Sequence, residues 1–216
     1  MVRFSYLNKE WPLSSLRCPF PGVEDVEHFP SGCGHDLFVL QTLNGKRNGR
    51  YLELGSRDPI KKSNTYVLEK YFDWEGISLD INPAYYSKFN SSRINKTILQ
   101  DATTADYNEI LSQFDWDDKI VDYLSVDCDP SPNSFAALKK VLESGYTFRV
   151  ITFEHDHYGP DKHIKALSRN FIWSHGYTLK ANMSTTVDHE DWWVLEEIDS
   201  TSTLELTNFE EFFFHV

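Results

Sequence analysis

The sequence predicts an α/β fold: a doubly wound, mostly parallel sheet covered by helices on both faces. Three observations predict it. From residue 50 onward, short apolar runs of strand length alternate with amphipathic runs of helical period, the pattern of successive strand–helix–strand units. Each of the first five strand-like runs ends on a carboxylate, and that sheet edge is where such folds bind ligands. The last two strand-like runs are joined by a polar link without helical period, which predicts an antiparallel final pair.

The elements follow in order. Residues 1–32 carry Pro12, Pro19, Pro21 and Pro30 without sustained period and read as an irregular N-terminal arm. Residues 33–198 read as the domain. Residues 199–216 end EEFFFHV and read as a tail docked on it, because exposed aromatics are costly. In HDLFVLQTLNG (35–45), Leu37, Leu40 and Leu43 lie three apart, a short helix stopped by Asn44-Gly45. RYLELG (50–55) is a strand, and KSNTYVLEKYF (62–72) a helix with Ser63 or Asn64 as N-cap. EGISLDI (75–81) is a strand, PAYYSKFNSSR (83–93) a helix opened by Pro83, and KTILQDA (96–102) a strand. VDYLSVDC (121–128) is a strand, and NSFAALKKVLESG (133–145) a helix with one apolar face and a terminal glycine. FRVITFEHD (148–156) is a strand, DKHIKALSRNFIWSHG (161–176) a helix, and YTLKANM (177–183) and DWWVLEE (191–197) the final strands.

Composition narrows the function classes. The chain has 216 residues, 21 Lys plus Arg against 33 Asp plus Glu, and a net charge of −12. An acidic surface repels phosphate backbones, which argues against general nucleic-acid binding. The basic clusters Lys46, Arg47, Arg50 and Lys61-Lys62 are short and read as solvated surface. Cys18, Cys33 and Cys128 are an odd, sparse set rather than a disulfide framework. The N-terminal MVRFSYLNKEWPLSS lacks a basic-then-apolar leader pattern, and no apolar stretch approaches the ~20 residues of a membrane helix. The expectation is a soluble cytoplasmic protein with no membrane partner.

The strand ends carry the chemistry. They are Glu53-Leu54-Gly55-Ser56-Arg57-Asp58, Asp80-Ile81-Asn82, Asp101-Ala102, Asp127-Cys128-Asp129 and Glu154-His155-Asp156. Any one of these acids alone reads as a cap or turn residue; five along one edge point to a ligand. Asp80 lies 25 residues after Gly55, where a carboxylate accepts both hydroxyls of a ribose. Gly55 lets backbone approach a ligand that a Cβ would block. The turn G-S-R-D-P lacks the G-x-G-x-x-G that cradles a pyrophosphate, and Asp58 would repel one. S-adenosylmethionine has no phosphate, and its sulfonium and ammonium suit Glu53 and Asp58. The loop therefore favours S-adenosylmethionine over NAD. An NAD-dependent oxidoreductase and a non-catalytic cofactor-fold binding module are the alternatives.

The run YLELGSRDPIKKSNTYVLEKYFDWEGISLDINP resembles the opening half of the FkbM-type methyltransferases, as do GHDLF, LQDATTADY, DYLSVDCDP, ITFEHDHYG and EDWWV. The resemblance spans about residues 31–195. It implies a seven-stranded methyltransferase sheet whose last strand is antiparallel, and O-methylation of a small hydroxylated acceptor such as a sugar or glycan. It implies roles for Glu53, Gly55 and Ser56 in the first cofactor segment and for Asp80 as ribose ligand with Ile81 beside the adenine. Asp101 and Ala102 would meet the adenine edge, and Asp127 would face the methyl group. The sequence departs from the family at Pro59, where a glycine is usual, and in DCDPSPNS (127–134), where glycine then glutamate is frequent.

An oxygen acceptor must lose its proton to a base or to a metal-activated site. His155 is the expected base, since its ordinary pKa lies near neutrality, and His157 is second. Asp127, Asp129, Glu154 and Asp156 are an oxygen donor set of the kind that holds Mg²⁺ or Ca²⁺. Capping or solvated roles for those four acids weigh more, so no metal ligand is assigned. Trp192 and Trp193 alternate on a strand; one or both serve the core, and a sugar-stacking platform is the other use.

Overall fold

The computed structural model describes residues 3–6, 9–184, 188–198 and 213–215. A short antiparallel pair, β1 (Arg3–Tyr6) and β2 (Lys9–Pro12), lies in the N-terminal arm that the prolines led us to read as irregular. The domain continues with α1 (His35–Thr42), β3 (Arg50–Leu54), α2 (Tyr66–Phe72), β4 (Glu75–Asp80), α3 (Pro83–Ser92) and β5 (Lys96–Leu99). It is completed by α4 (Tyr107–Leu111), β6 (Ile120–Val126), α5 (Ser131–Leu142), β7 (Thr147–Glu154), α6 (His163–Ser174), β8 (Tyr177–Ser184) and β9 (Asp188–Leu195).

Seven strands form one sheet in the order β5-β4-β3-β6-β7-β9-β8. Strands β3 to β7 are parallel; β9 inserts between β7 and β8 and runs antiparallel to both. Strands β8 and β9 pair antiparallel, as the sequence predicted for the final two strands. The order reverses between β3 and β6, which makes that edge the switch point where ligands bind.

Alternation along the central strands splits the core in two. Tyr51, Tyr123, Val150, Trp192 and Val194 face α1 and α2. Leu52, Leu54, Leu124, Val126, Ile151, Phe153 and Trp193 face α5 and α6. Trp192 and Trp193 thus lie on opposite faces, and both are fully buried, so neither offers a stacking platform. Phe213 and Phe214 are also buried; Phe214 stacks on Trp11 with ring centroids 4.0 Å apart, and Arg17 N donates to the Phe213 carbonyl.

Helix α2 begins at Tyr66, four residues later than the sequence pattern placed it. The reason is competition for side chains. Ser63 Oγ accepts from Thr65 N and Tyr66 N, Thr65 Oγ1 donates to Glu53, and Asn64 Nδ2 donates to Ser125 Oγ. These bonds hold 62–65 as a turn against the sheet. Helix α5 begins earlier than expected, with Pro132 in its first turn, where a missing N–H costs nothing. Helix α4 carries no apolar period long enough to be seen in sequence. The basic clusters are partly paired: Lys46 Nζ lies 2.6 Å from buried Asp122, and Arg50 pairs with Asp118.

Buried Arg93 fixes the loop that follows β3. Its guanidinium pairs with Glu69 at 2.9 Å and donates to the Pro59 carbonyl, Ser63 Oγ, Thr65 Oγ1 and Tyr51 OH. Pro59, the departure from the family pattern, is therefore held by its carbonyl.

Candidate functional site

The carboxyl ends of β3, β4, β6 and β7 open onto two adjoining cavities. The smaller, about 250 Å³, is walled by Asp80, Ile81, Asp101, Ala102, Cys128 and Asn133 among others. The larger, about 490 Å³, is walled by Cys33, His35, Glu53, Ser56, Asn64, Glu154, His189 and Glu190 among others. Gly55, Arg57, Tyr85 and Asp127 line both.

Asp80 sits at the end of β4, with both carboxylate oxygens engaged by backbone. Oδ2 accepts from Arg57 N at 2.8 Å and Oδ1 from Asn82 N at 2.7 Å. Each oxygen keeps a lone pair for a ligand. Asp80 thereby ties the loop after β3 to the loop after β4. Ile81 is 69% exposed on the rim of the smaller cavity, an apolar face with no packing role of its own. Asp101 lies just past β5, where its Oδ1 accepts from Thr103 N and Thr103 Oγ1. Those bonds hold its carboxyl below the usual range. The Ala102 carbonyl accepts from Tyr107 OH.

Glu53 is buried mid-wall, its Oε2 accepting from Ser78 Oγ at 2.6 Å and Thr65 Oγ1 at 3.0 Å. Burial raises its carboxyl pKa, against the pull of Arg93. Gly55 has φ +82°, and a Cβ there would lie 1.7 Å from the Asp127 carbonyl oxygen. The crowding that demands glycine is thus β3 against β6, within the protein itself. Ser56 is buried, and its Oγ has no hydrogen-bond partner among the described residues. Asp58 is spent on its own turn: Oδ1 accepts from Ile60 N and Lys61 N, and Oδ2 pairs with Lys88.

Asp127 and Glu154 are hydrogen-bonded to each other at the ends of β6 and β7. Burial drives both carboxyls up, Glu154 to about 12 with the neighbouring Asp127 adding to its rise. His155 is fully buried and lines neither cavity. Its Nε2 faces Asp191 at 3.6 Å, and its Nδ1 accepts from His157 N. His157 Nδ1 lies 3.0 Å from the Lys162 carbonyl. Neither histidine is brought to the cavity; the sequence placed them at a strand end, but the side chain of His155 points under β9.

Other residues take that place. His35 on α1 lies 2.5 Å from Glu190 on β9, and its other ring nitrogen is 2.7 Å from Ser31 Oγ. Ser31 Oγ donates to Asn64, which donates to Ser125, so a chain of hydrogen bonds runs from the sheet to Glu190. The Glu190 charge raises the His35 pKa against its desolvation, and His35 lowers that of Glu190 against its own burial. Cys33 Sγ lies 3.3 Å from His189 Nε2. Burial, with Glu190 and Glu154 nearby, pushes the Cys33 thiol up. Among the described residues, Cys33, His189 and Glu190 are gathered with donor atoms within 4.8 Å of one another, whereas Asp127, Asp129, Glu154 and Asp156 are not. The oxygen-only set considered for Mg²⁺ or Ca²⁺ is therefore not gathered among the described residues. The sequence carries signs of the gathered group in G-C-G-H-D and D-H-E-D, but 155 residues separate His35 from Glu190.

No protein-family model and no curated protein matches the chain. Solved structures do. A candidate rRNA methylase from Clostridium thermocellum superposes with TM-score 0.53 at 11% identity, over 76% of this chain and 93% of that one. The N-terminal domain of EvdMO1 superposes with TM-score 0.52 at 11% identity, over 82% and 88%. A chain of the fibrillarin/Nop5p complex gives 0.50 at 13% identity, over 76% and 80%. The chain has the methyltransferase fold. At these identities the likeness speaks for architecture alone. The methyltransferase fold places the paired cavities at the switch point of its sheet. No helix among the described residues is long and apolar enough to cross a membrane.

Proposed function

We propose that this chain is an S-adenosylmethionine-dependent methyltransferase, acting on the hydroxyl of a small acceptor such as a sugar or glycan. One observation carries the reading: two cavities at the switch point, meeting at Gly55, Arg57, Tyr85 and Asp127. A nucleoside fits the smaller, and the larger has room for both a charged amino-acid tail and an acceptor. When bound, S-adenosylmethionine supplies a methyl group already activated by sulfonium.

The residues fit that donor. The free lone pairs of Asp80 suit ribose hydroxyls, and exposed Ile81 offers an apolar face to adenine, with Asp101 and Ala102 at its edge. The unpaired Ser56 hydroxyl, with Glu53 and Gly55, lines the start of the larger cavity. Asp127 lines both cavities where they meet, so its carboxyl is placed to face the sulfonium side of the donor. Aligning donor and acceptor supplies much of the catalysis. Removal of the acceptor proton falls to the wall formed by Cys33, His189 and Glu190, since His155 is sealed away. The sugar class is supported by EvdMO1, solved with S-adenosylhomocysteine and D-fucose, and by the net charge of −12, which disfavours nucleic acid.

Calorimetry with S-adenosylhomocysteine and with NAD tests the donor. The reading requires binding of the first and none of the second; binding of NAD alone would overturn it. Transfer of labelled methyl to a panel of monosaccharides and glycans then tests the acceptor class. Cofactor binding without transfer to any acceptor would favour a binding module.

A further inference from the structure

We propose that Cys33, His189 and Glu190 form a zinc site on the wall of the larger cavity, with one coordination position open to it. All three side chains line that cavity, and their donor atoms lie within 4.8 Å of one another. A sulfur, an imidazole nitrogen and a carboxylate oxygen together select zinc over magnesium or calcium. Tetrahedral zinc with ordinary bond lengths sets sulfur and nitrogen about 3.5 Å apart. Cys33 Sγ and His189 Nε2 are 3.3 Å apart without any metal, close to that edge.

The outer contacts match a metal site as well. Glu190 is oriented from both sides: Trp192 Nε1 donates to its Oε1 at 3.0 Å, and His35 lies 2.5 Å from its Oε2. Each oxygen keeps a lone pair for an ion. Such partners orient ligands and raise affinity. The backbone around His189 is also fixed, since its carbonyl accepts from His155 N at 2.7 Å and Asp156 N at 3.0 Å. Three protein ligands beside a cavity are the arrangement of a zinc that holds a water or a substrate oxygen in its fourth position. A hydroxyl bound there would be acidified by the metal. The site stands on these residues alone and does not depend on the methyltransferase reading.

The test uses the full-length chain without a purification tag, because tag histidines bind zinc. After loading with zinc and dialysis, mass spectrometry should find one zinc per chain. Cobalt in its place should give a thiolate-to-cobalt charge-transfer band. Cys33→Ser should abolish that band and weaken zinc binding on the order of 100-fold or more, with circular dichroism unchanged. His35→Ala, which removes only an outer partner, should cost about 10–100-fold. Should Cys33→Ser misfold, Glu190→Gln is read by its zinc affinity, which should fall by a similar factor. Substoichiometric zinc in the wild-type chain, or equal zinc affinity in Cys33→Ser, would overturn the proposal. Wild-type chain that takes no zinc yet binds S-adenosylhomocysteine sinks the zinc site alone; zinc binding without any S-adenosylhomocysteine binding sinks the methyltransferase reading alone.

Discussion

Replacing Gly55 by alanine should separate the two central strands at the point where the cavities meet. The new Cβ would sit 1.7 Å from the Asp127 carbonyl oxygen, and real contacts stop near 3.0 Å, so the backbones must part by about 1.3 Å. The hydrogen bond from Asp127 N to the Leu54 carbonyl, now 3.0 Å, lies at that junction and cannot survive such a shift. Its loss costs about 0.5–1.5 kcal/mol. Alanine at φ +82° adds about 1–2 kcal/mol of left-handed strain. The expected destabilisation is about 1.5–3.5 kcal/mol, read from the midpoint of urea unfolding. Because Gly55 and Asp127 line both cavities, S-adenosylhomocysteine affinity should fall by at least about tenfold, the equivalent of 1.4 kcal/mol. A variant within about 0.5 kcal/mol of wild type that binds the ligand normally would refute the argument.

Further outcomes test other parts. Asp80→Ala frees two backbone N–H groups and removes the ribose acceptor, so S-adenosylhomocysteine affinity should drop by about 1–3 kcal/mol in calorimetry; unchanged affinity would show that Asp80 does not hold the ribose. Burial disfavours the charge of Asp36 and pushes its carboxyl up to about 7 from an ordinary 3.8. The folded state therefore holds that proton longer than the unfolded chain, and stability should fall as pH rises from about 4 to 7, by at most about 4 kcal/mol. Asp36→Asn should flatten that decline in urea titrations at pH 5 and pH 8. Arg93→Met leaves Glu69 buried and unpaired and frees the Pro59 carbonyl, which should cost about 3–5 kcal/mol in chemical denaturation. Phe214→Ala empties a fully buried site stacked on Trp11 and should cost about 3–5 kcal/mol; a melting temperature equal to wild type would show that the tail is dispensable.

Much of the fold was legible because its signals are local. Strand and helix periods between residues 50 and 183 are written in runs of four to twelve residues. What was not legible depends on residues far apart. The start of α2 moved because Asn64 and Thr65 bond to Ser125 and Glu53 on the sheet. The need for glycine at position 55 comes from Asp127 rather than from a ligand. His155 has the right chemistry at the right strand end, yet β9 folds over it and Asp191 faces its ring. No run around residue 155 announces that β9 will pass there, because the insertion of β9 between β7 and β8 is a long-range choice.

The sequence by itself determined the α/β class, the antiparallel last strand and the row of acids along one sheet edge, since each is a matter of period, turn chemistry and strand termini. Only the tertiary structure decided which of those acids are free and which neighbours they meet. Packing joined Asp127 to Glu154, spent Asp58 on Lys88 and its own turn, and brought Cys33, just before α1, and His35, at its start, against His189 and Glu190 of the last strand. Burial and pairing depend on every element that covers a side chain, and those elements are distant in the sequence.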